Sequence, residues 1–230
     1  MKALIFDSGP LINFSINGLL DLLEKFHQNF DGKFIITSFI KSEVVNRPLK
    51  IRQFELGALR INQLIEKKIL EFPSSIGLND KDVEKETFNL TDRANHFLKS
   101  QNYWINLVSE AEMSCFAVAN ALKKKNIDSL IAMDERTARM LCEKPENLQR
   151  LMSQKLHKDI IQTNQNLQIQ QCKIVRSTEL AYIAFKKGLI KLNNPLALEA
   201  LLYATKFNGS SISFNELEEL MIIENRLKPL

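Results

Sequence analysis

Acidic residues follow the apolar, strand-like segments of this chain at four places. Asp7 comes directly after the apolar run 3–6, and Glu43, Glu110 and Asp134 each follow another apolar stretch farther along. In a parallel sheet the carboxyl ends of neighbouring strands meet at one edge, and open α/β folds bind their ligands there. The pattern therefore predicts an α/β fold in which several acids meet in one cleft at the edge of the sheet.

Carboxylates gathered in one cleft repel one another. Two of them about 5 Å apart repel by roughly 3 kcal/mol at an effective dielectric constant near 20, so we expect a divalent cation to offset their charge. Oxygen ligands alone favour hard cations such as Mg²⁺ or Mn²⁺. We therefore predict a Mg²⁺ or Mn²⁺ site whose ligands, and catalytic residues, are Asp7, Glu43, Glu110 and Asp134.

Two of these four positions have an acidic competitor close by in the sequence. Ser109 and Glu112 fit a capping box, in which the glutamate at the third helical position folds back on the cap. Residues two apart also point to different sides of a helix, which favours Glu110 for the cleft. Side chains alternate along a strand in the same way, so only one of Asp134 and Glu135 faces the site, and we choose Asp134.

Apolar strands alternate with helical segments through the first part of the chain. Strands are predicted at 3–6, 34–37, 68–72, 129–133 and 172–176. The segment 143–170 begins with helical spacing and then becomes rich in Gln and Asn, which predicts a helical insertion. We predict a three-layer α/β/α domain over 1–178, with a central parallel sheet of about five strands, and a helical extension over 179–230 with three helices.

The charge balance, the cysteine count and the length of the apolar runs limit the classes of protein to which this chain belongs. The 31 basic and 27 acidic residues give a net charge of +4, which permits a polyanionic partner without indicating one. Cys115, Cys142 and Cys172 are far apart and odd in number, which predicts neither a disulfide nor a zinc framework. The chain shows no apolar run of bilayer length and no signal-peptide pattern, so we expect a cytoplasmic protein without membrane contact.

The order and spacing of the acids resemble those of a PIN domain. The segments that carry the likeness are LIFDSGPLI (4–12), ITSFIKSEVV (36–45), SEAE (109–112) and IAMDERTAR (131–139). They cover most of 1–140. The later segments IVRST (174–178) and AFKKGLI (184–190) are similar to the C-terminal part of a bacterial and archaeal PIN subgroup, in which 143–170 has no counterpart.

This resemblance implies a metal-dependent endoribonuclease that hydrolyses RNA phosphodiester bonds through an acidic Mg²⁺ or Mn²⁺ cluster. It favours Glu110 over Glu112, although Ser109 replaces a glycine common in the family. PIN domains include the toxins of toxin–antitoxin pairs. An antitoxin-like protein is therefore an expected partner beside RNA.

Three further residues are candidates for substrate binding. Arg136 and Arg139 are three apart, share one helical face and are suited to bidentate phosphate contacts; the alternative is an ion pair with Glu135 or Glu143. Ser8 stands beside the first acid, where it either orients a ligand or water or caps the first helix.

Other functions fit parts of the pattern. A PIN fold without catalysis would serve as an RNA-binding or scaffold protein. A haloacid-dehalogenase-type phosphatase needs a second aspartate two positions after the first, where this chain has Gly9. The C-terminal helices offer apolar faces with Leu198, Leu201 and Leu202, which suit a homodimer; the alternative is that these residues only cover the sheet.

Overall fold

Strands and helices alternate along most of the chain. The computed structural model describes residues 2–163, 166–169 and 172–227. Its strands are β1 Lys2–Phe6, β2 Gly32–Ile35, β3 Leu70–Glu71, β4 Leu98–Ser100, β5 Tyr103–Trp104, β6 Asp128–Ala132, β7 Ile161–Gln162 and β8 Lys173–Val175. Its helices are α1 Ser8–Ile16, α2 Asp21–Gln28, α3 Ser38–Lys41, α4 Arg52–Glu66, α5 Asp80–Asn95, α6 Glu110–Lys124, α7 Arg136–Glu143, α8 Leu148–Leu156, α9 Ser177–Lys186, α10 Ala197–Phe207 and α11 Phe214–Leu227.

Five of these strands form one parallel sheet in the order β3-β2-β1-β6-β8. This confirms the predicted α/β class and the parallel sheet. Helix α6 packs on β1 and β6, α2 on β2, and α4 on β3, which is consistent with a three-layer α/β/α arrangement. The likeness to PIN domains stays a prediction.

The strand order reverses between β1 and β6. From β1 the chain runs outward through β2 to β3, and it then returns to the other side of β1 to form β6 and β8. Open α/β sheets bind ligands in the crevice outside the carboxyl ends of the strands at such a reversal. Phe6 at the end of β1 stands opposite Ala132 at the end of β6, so the residues that follow both strands share this crevice.

The central strand β1 is apolar on both faces. Its residues from Ala3 to Phe6 are all buried, as a parallel strand covered by helices on both sides requires. The Phe6 and Phe34 rings meet edge to face with centroids 5.3 Å apart. Burying each such side chain stabilises the fold by about 1.5–3 kcal/mol, which holds the end of β1 in a fixed position.

Two separate helices follow β1, and the residue before α3 caps that helix. Helix α1 ends at Ile16, and Gly18 adopts φ +69° before α2 begins. Thr37, and not Ser38, caps α3, because its hydroxyl accepts the Ile40 amide.

A second, antiparallel sheet replaces part of the predicted helices. Its order is β5-β4-β7, and α5 ends before it at Asn95. The Asn95 carboxamide accepts the amides of Leu107 and Val108, and it thereby ends α5 and fixes the following hairpin. The insertion 143–170 is therefore only partly helical, with α8 followed by β7; residues 164, 165 and 170 of it lie outside the described residues.

Two of the three cysteines are paired, contrary to prediction. Cys142 and Cys172 form a disulfide with Cα atoms 6.5 Å apart, whereas Cys115 is free and buried. The pair is 30 residues apart in sequence because the insertion lies between them. The fold brings them together by placing the end of α7 beside the start of β8.

The C-terminal helices are attached to the sheet domain by buried polar contacts. The Asn13 carboxamide on α1 donates to Ser177 Oγ at 3.0 Å and to the Thr205 carbonyl at 2.7 Å. The helices α10 and α11 also enclose a small apolar cluster that includes Leu202 and Leu217. The division into 1–178 and 179–230 stays a prediction. Across the described residues, no helix has the length and apolar character needed to cross a bilayer.

Candidate functional site

Asp7 lies at the crevice between the ends of β1 and β6. Its backbone amide donates to the Ala132 carbonyl at 2.9 Å, which extends the sheet contact by one residue. The side chain is 2% exposed, and its Oδ1 atom has no hydrogen-bond partner. A buried carboxylate oxygen without a partner is costly, so this atom needs a proton or a cation.

The pKa of Asp7 reflects this burial. Burial, followed by the charges of Glu112 and Glu43, raises the pKa from its ordinary 3.8 to about 7, against the lowering effect of the Ser8 and Gly9 amides. The carboxyl group is therefore close to half-protonated at neutral pH when no cation is near. Perturbed carboxylates in a cleft are characteristic of functional sites.

Of the two glutamates on the first turn of α6, Glu112 is the one whose charge raises the pKa of Asp7. The predicted capping box is confirmed: the Glu112 carboxylate accepts the Ser109 amide at 2.8 Å, and the Ser109 hydroxyl accepts the Glu112 amide at 3.3 Å. Burial, and the charges of Glu135 and Glu43, still raise the pKa of Glu112 to about 7, although hydrogen bonds from Ser109 oppose them.

Glu110 is exposed, and the structure does not bring it into this group. A capping role was expected to hold Glu112 away from the cleft, but this side chain both caps the helix and lies near Asp7. Cys115 indicates the orientation, because its Sγ contacts the Phe6 carbonyl at 3.7 Å and residues three apart share a helical face. The charges of Asp7, Glu112 and Glu43 all raise the pKa of the buried Cys115 thiol further, in addition to burial itself.

Glu43 lies in a single π-helical turn, Ser42–Asn46, that continues α3. Turns of this kind change the direction of side chains and occur frequently at functional sites. The Glu43 side chain is 29% exposed, and its Oε1 atom lies 3.9 Å from the guanidinium of the exposed Arg47. A buried hydrogen bond of 2.7 Å between the Thr37 and Ser114 hydroxyls joins the start of α3 to α6, which keeps Glu43 near Glu112.

Asp134 follows β6 and lies close to Asp7, but its partners belong to the C-terminal helices. It is 3% exposed, and its Oδ1 accepts the Ser177 amide at 2.9 Å. Burial raises the pKa of Asp134, while the hydrogen bond from Ser177 and the charge of Arg139 lower it. Asp134 therefore joins the acids to the C-terminal helices.

Gly9 lies in space between the side chains of Asp7 and Asp134. A Cβ atom at this position would lie 3.2 Å from Asp134 Cβ and 3.6 Å from Asp7 Oδ2. The close approach of α1 to the end of β6 therefore depends on a residue without a side chain.

Sequence reasoning did not assign Glu135 to the site. Its carboxylate caps α7 by accepting the Ala138 amide at 2.8 Å, and its charge raises the pKa of Glu112. We call Asp7, Glu43 and Glu112 the acidic cluster, with Asp134 and Glu135 at its margin.

The cluster can be compared with the needs of a divalent cation. Its carboxylates are the donors that Mg²⁺ and Mn²⁺ prefer, and Asp7 Oδ1 has no hydrogen-bond partner that a cation would have to replace. In the part of the chain that the structure describes, however, no three His, Cys, Asp or Glu side chains converge closely enough to hold a metal. The chemistry of the donors fits such an ion, and binding would require the Glu43 and Glu112 side chains to turn toward Asp7.

The predicted substrate-binding residues lie on two sides of this cleft. Ser8 is half-buried at the start of α1, and Arg136 is exposed on α7. Arg139 donates to Ser211 Oγ at 3.1 Å and contacts Glu143 at 3.4 Å. The alternative of an ion pair with Glu143 is thus present, and the phosphate contacts stay predictions.

No family model, no curated protein and no solved structure matches this chain significantly. Membership of the PIN family therefore depends on the sequence motifs alone and stays a prediction.

Proposed function

We propose that this protein is a divalent-metal-dependent endoribonuclease of the PIN type. The observation that carries the proposal is the environment of Asp7: a carboxylate 2% exposed, with an unpartnered oxygen and the charges of Glu112 and Glu43 beside it, at the reversal of strand order. Like charges in a buried cleft are unfavourable unless a cation compensates them.

Each residue has a role in this proposal. Asp7, Glu43 and Glu112 would hold Mg²⁺ or Mn²⁺, with Asp134 positioned beside them and Glu110 no longer the preferred glutamate. A bound cation of this kind activates water and stabilises the leaving oxygen of a phosphodiester. Ser8 would orient a ligand at the cleft.

Protonation links this role to pH. Because Asp7 and Glu112 have pKa values of about 7 without metal, a cation must displace protons from them to bind. Metal affinity, and activity that depends on it, should therefore rise as the pH increases through about 7. Once bound, the cation would keep both groups ionised.

A direct test is to incubate labelled single-stranded RNA with the protein and Mn²⁺. The proposal predicts cleavage that EDTA abolishes and that is lost in Asp7→Asn and Glu112→Gln. The variant Glu110→Gln serves as the matched control and should cleave like the wild type. Cleavage that persists in Asp7→Asn, or in EDTA, would contradict the proposal.

A non-catalytic RNA-binding or scaffold protein is the second candidate. The observation that favours it is the absence, among the described residues, of three side chains converged for a metal. The same assay separates the two functions: RNA that is bound and shifted in a gel but intact in every lane would favour the scaffold.

The proposal includes an antitoxin-like protein partner in the cytoplasm. Exposed apolar side chains on α1 and α4, among them Ile16, Phe54 and Leu56, border a groove that also includes Glu43. A partner helix there would cover apolar surface and lie close to the acidic cluster. Growth arrest on expression that a co-expressed neighbouring gene product relieves would support an antitoxin-like partner. Harmless expression of an active enzyme would contradict it. A homodimer in light scattering would instead assign the groove to a second copy of the chain.

A further inference from the structure

A cavity of about 750 Å³ lies between α7, α8 and the connection from α10 to α11. The cavity is separate from the acidic cluster. Arg139, which lines the cavity, also interacts through its charge with Asp134 at the margin of the cluster. The cavity volume is in the range of sites that bind small molecules such as nucleotides. Its lining carries six cationic side chains against two carboxylates: Arg136, Arg139, Lys144, Arg150, Arg176 and Lys206 against Glu143 and Glu216.

The buried cation of the cavity is Arg176. Its side chain is 9% exposed, and its terminal nitrogens contact Glu216 at 2.8 Å and Glu179 at 2.6 Å. Its Nε atom has no hydrogen-bond partner. A buried guanidinium N–H without an acceptor is unfavourable.

Arg139, on α7, also lines the cavity and has a guanidinium group that is largely buried. Its side chain is 16% exposed, and its contact with Glu143 is long, at 3.4 Å. Its Nε is also buried without a partner. Two guanidinium groups, one on α7 and one directly before α9, thus each have a buried donor that lacks an acceptor.

Exposed cations add to the positive field. Arg136, Lys144 and Arg150 are all exposed at the rim, and among the described residues none of them forms an ion pair. Lys206 is fixed in place by the Phe214 ring, with Nζ 4.1 Å from its centroid. Positive charges concentrated in a concave site attract anions.

We propose that this cavity binds a phosphate monoester, either at the end of an RNA chain or on a free nucleotide. A monoester carries a charge of about −1.5 to −2 near neutral pH, whereas a diester carries only one negative charge, and its oxygens match the guanidinium donors. The inference depends on the proposed function only for the identity of RNA as one source of the phosphate.

The experiment measures affinity by calorimetry on the full-length Asp7→Asn protein, so that hydrolysis does not interfere. The ligands are adenosine, adenosine 5′-monophosphate, and a short single-stranded oligoribonucleotide with either a 5′-hydroxyl or a 5′-phosphate. Inorganic phosphate serves as the competitor. The variants are Arg139→Gln and the exposed Arg150→Gln, with Arg52→Gln, an exposed arginine at the start of α4, as the matched control for loss of one charge.

A ligand with a 5′-phosphate should bind about tenfold more tightly than its hydroxyl counterpart, since charge-assisted hydrogen bonds contribute at least this much. Arg139→Gln should remove most of this preference and Arg150→Gln part of it, while Arg52→Gln retains it. A preference seen only with the oligonucleotide assigns the cavity to RNA ends, and one seen only with the mononucleotide assigns it to free nucleotides.

Equal affinity for phosphorylated and hydroxyl ligands would overturn the inference, as would an equal loss in Arg52→Gln. If Arg139→Gln does not fold, Arg150→Gln decides the question. Failure of RNA cleavage would leave these results unchanged, so the two proposals fail separately.

Discussion

Replacing Asp7 by Asn should make the metal-free protein more stable at high pH, although it removes the central acid. The pKa of Asp7 is raised from 3.8 to about 7. The folded state therefore keeps its proton over a pH range in which the unfolded chain has lost it. A carboxylate of this kind reduces stability as the pH rises from about 4 to about 7, and the cost stays constant at higher pH.

The size of the effect follows from the shift. One pKa unit corresponds to about 1.4 kcal/mol, so a shift of roughly three units corresponds to roughly 4 kcal/mol when Asp7 is charged. Glu112 shares part of this energy, because its charge is one cause of the shift. We expect Asp7→Asn to raise the free energy of unfolding by about 2–4 kcal/mol near pH 8 and by less than half as much near pH 5, where the unfolded carboxyl has already lost its proton but the folded one has not.

The assay is urea denaturation in EDTA at both pH values, followed by circular dichroism. The control is Asp128→Asn, which removes an exposed acid at the opposite end of β6 and should change stability by no more than about 0.5 kcal/mol. Added Mn²⁺ should reverse the order at pH 8, because it stabilises only the protein that retains its ligand. If Asp7→Asn destabilises the protein equally at both pH values, the electrostatic account of the cleft is wrong.

Three other substitutions test separate parts of the structure. Glu112→Gln keeps a capping side chain, so it should stabilise the metal-free protein near pH 8 while RNA cleavage is lost. Glu110→Gln should change neither stability nor cleavage. If the two variants have equal effects in the denaturation and cleavage assays, the assignment of Glu112 is wrong. Gly9→Ala should destabilise by about 1 kcal/mol and lower the cleavage rate, since its Cβ would press against a neighbouring acid; a variant with unchanged kinetics would exclude the close approach. Asn13→Ala should destabilise by about 2–4 kcal/mol, as two buried hydrogen bonds are lost, and thermal unfolding should show no such effect in the exposed control Asn102→Ala.

The sequence was informative where local signals agreed with the fold. The apolar run of β1 and the capping box of α6 were predicted because each depends on neighbours in the chain. The three C-terminal helices were also predicted, from their apolar spacing and from the residues that separate them.

Other features depend on contacts between residues that are distant in the sequence, and these features could not be predicted from it. Whether Glu110 or Glu112 approaches Asp7 depends on how α6 rotates against the sheet, and no local pattern reports that rotation. The strands β5 and β7 contain two residues each, too few for an alternating pattern to be recognised. The Cys142–Cys172 pairing and the partners of Asp134 in the C-terminal helices likewise depend on contacts between distant parts of the chain.

Calorimetric titration of Mn²⁺ into the wild-type protein near pH 7.5 tests the central claim most directly. Our account predicts saturable binding with release of protons, lost in Asp7→Asn and Glu112→Gln and retained in Glu110→Gln. Absence of saturable binding in the wild type, or binding that Asp7→Asn leaves intact, would show that the acidic cluster does not hold a metal.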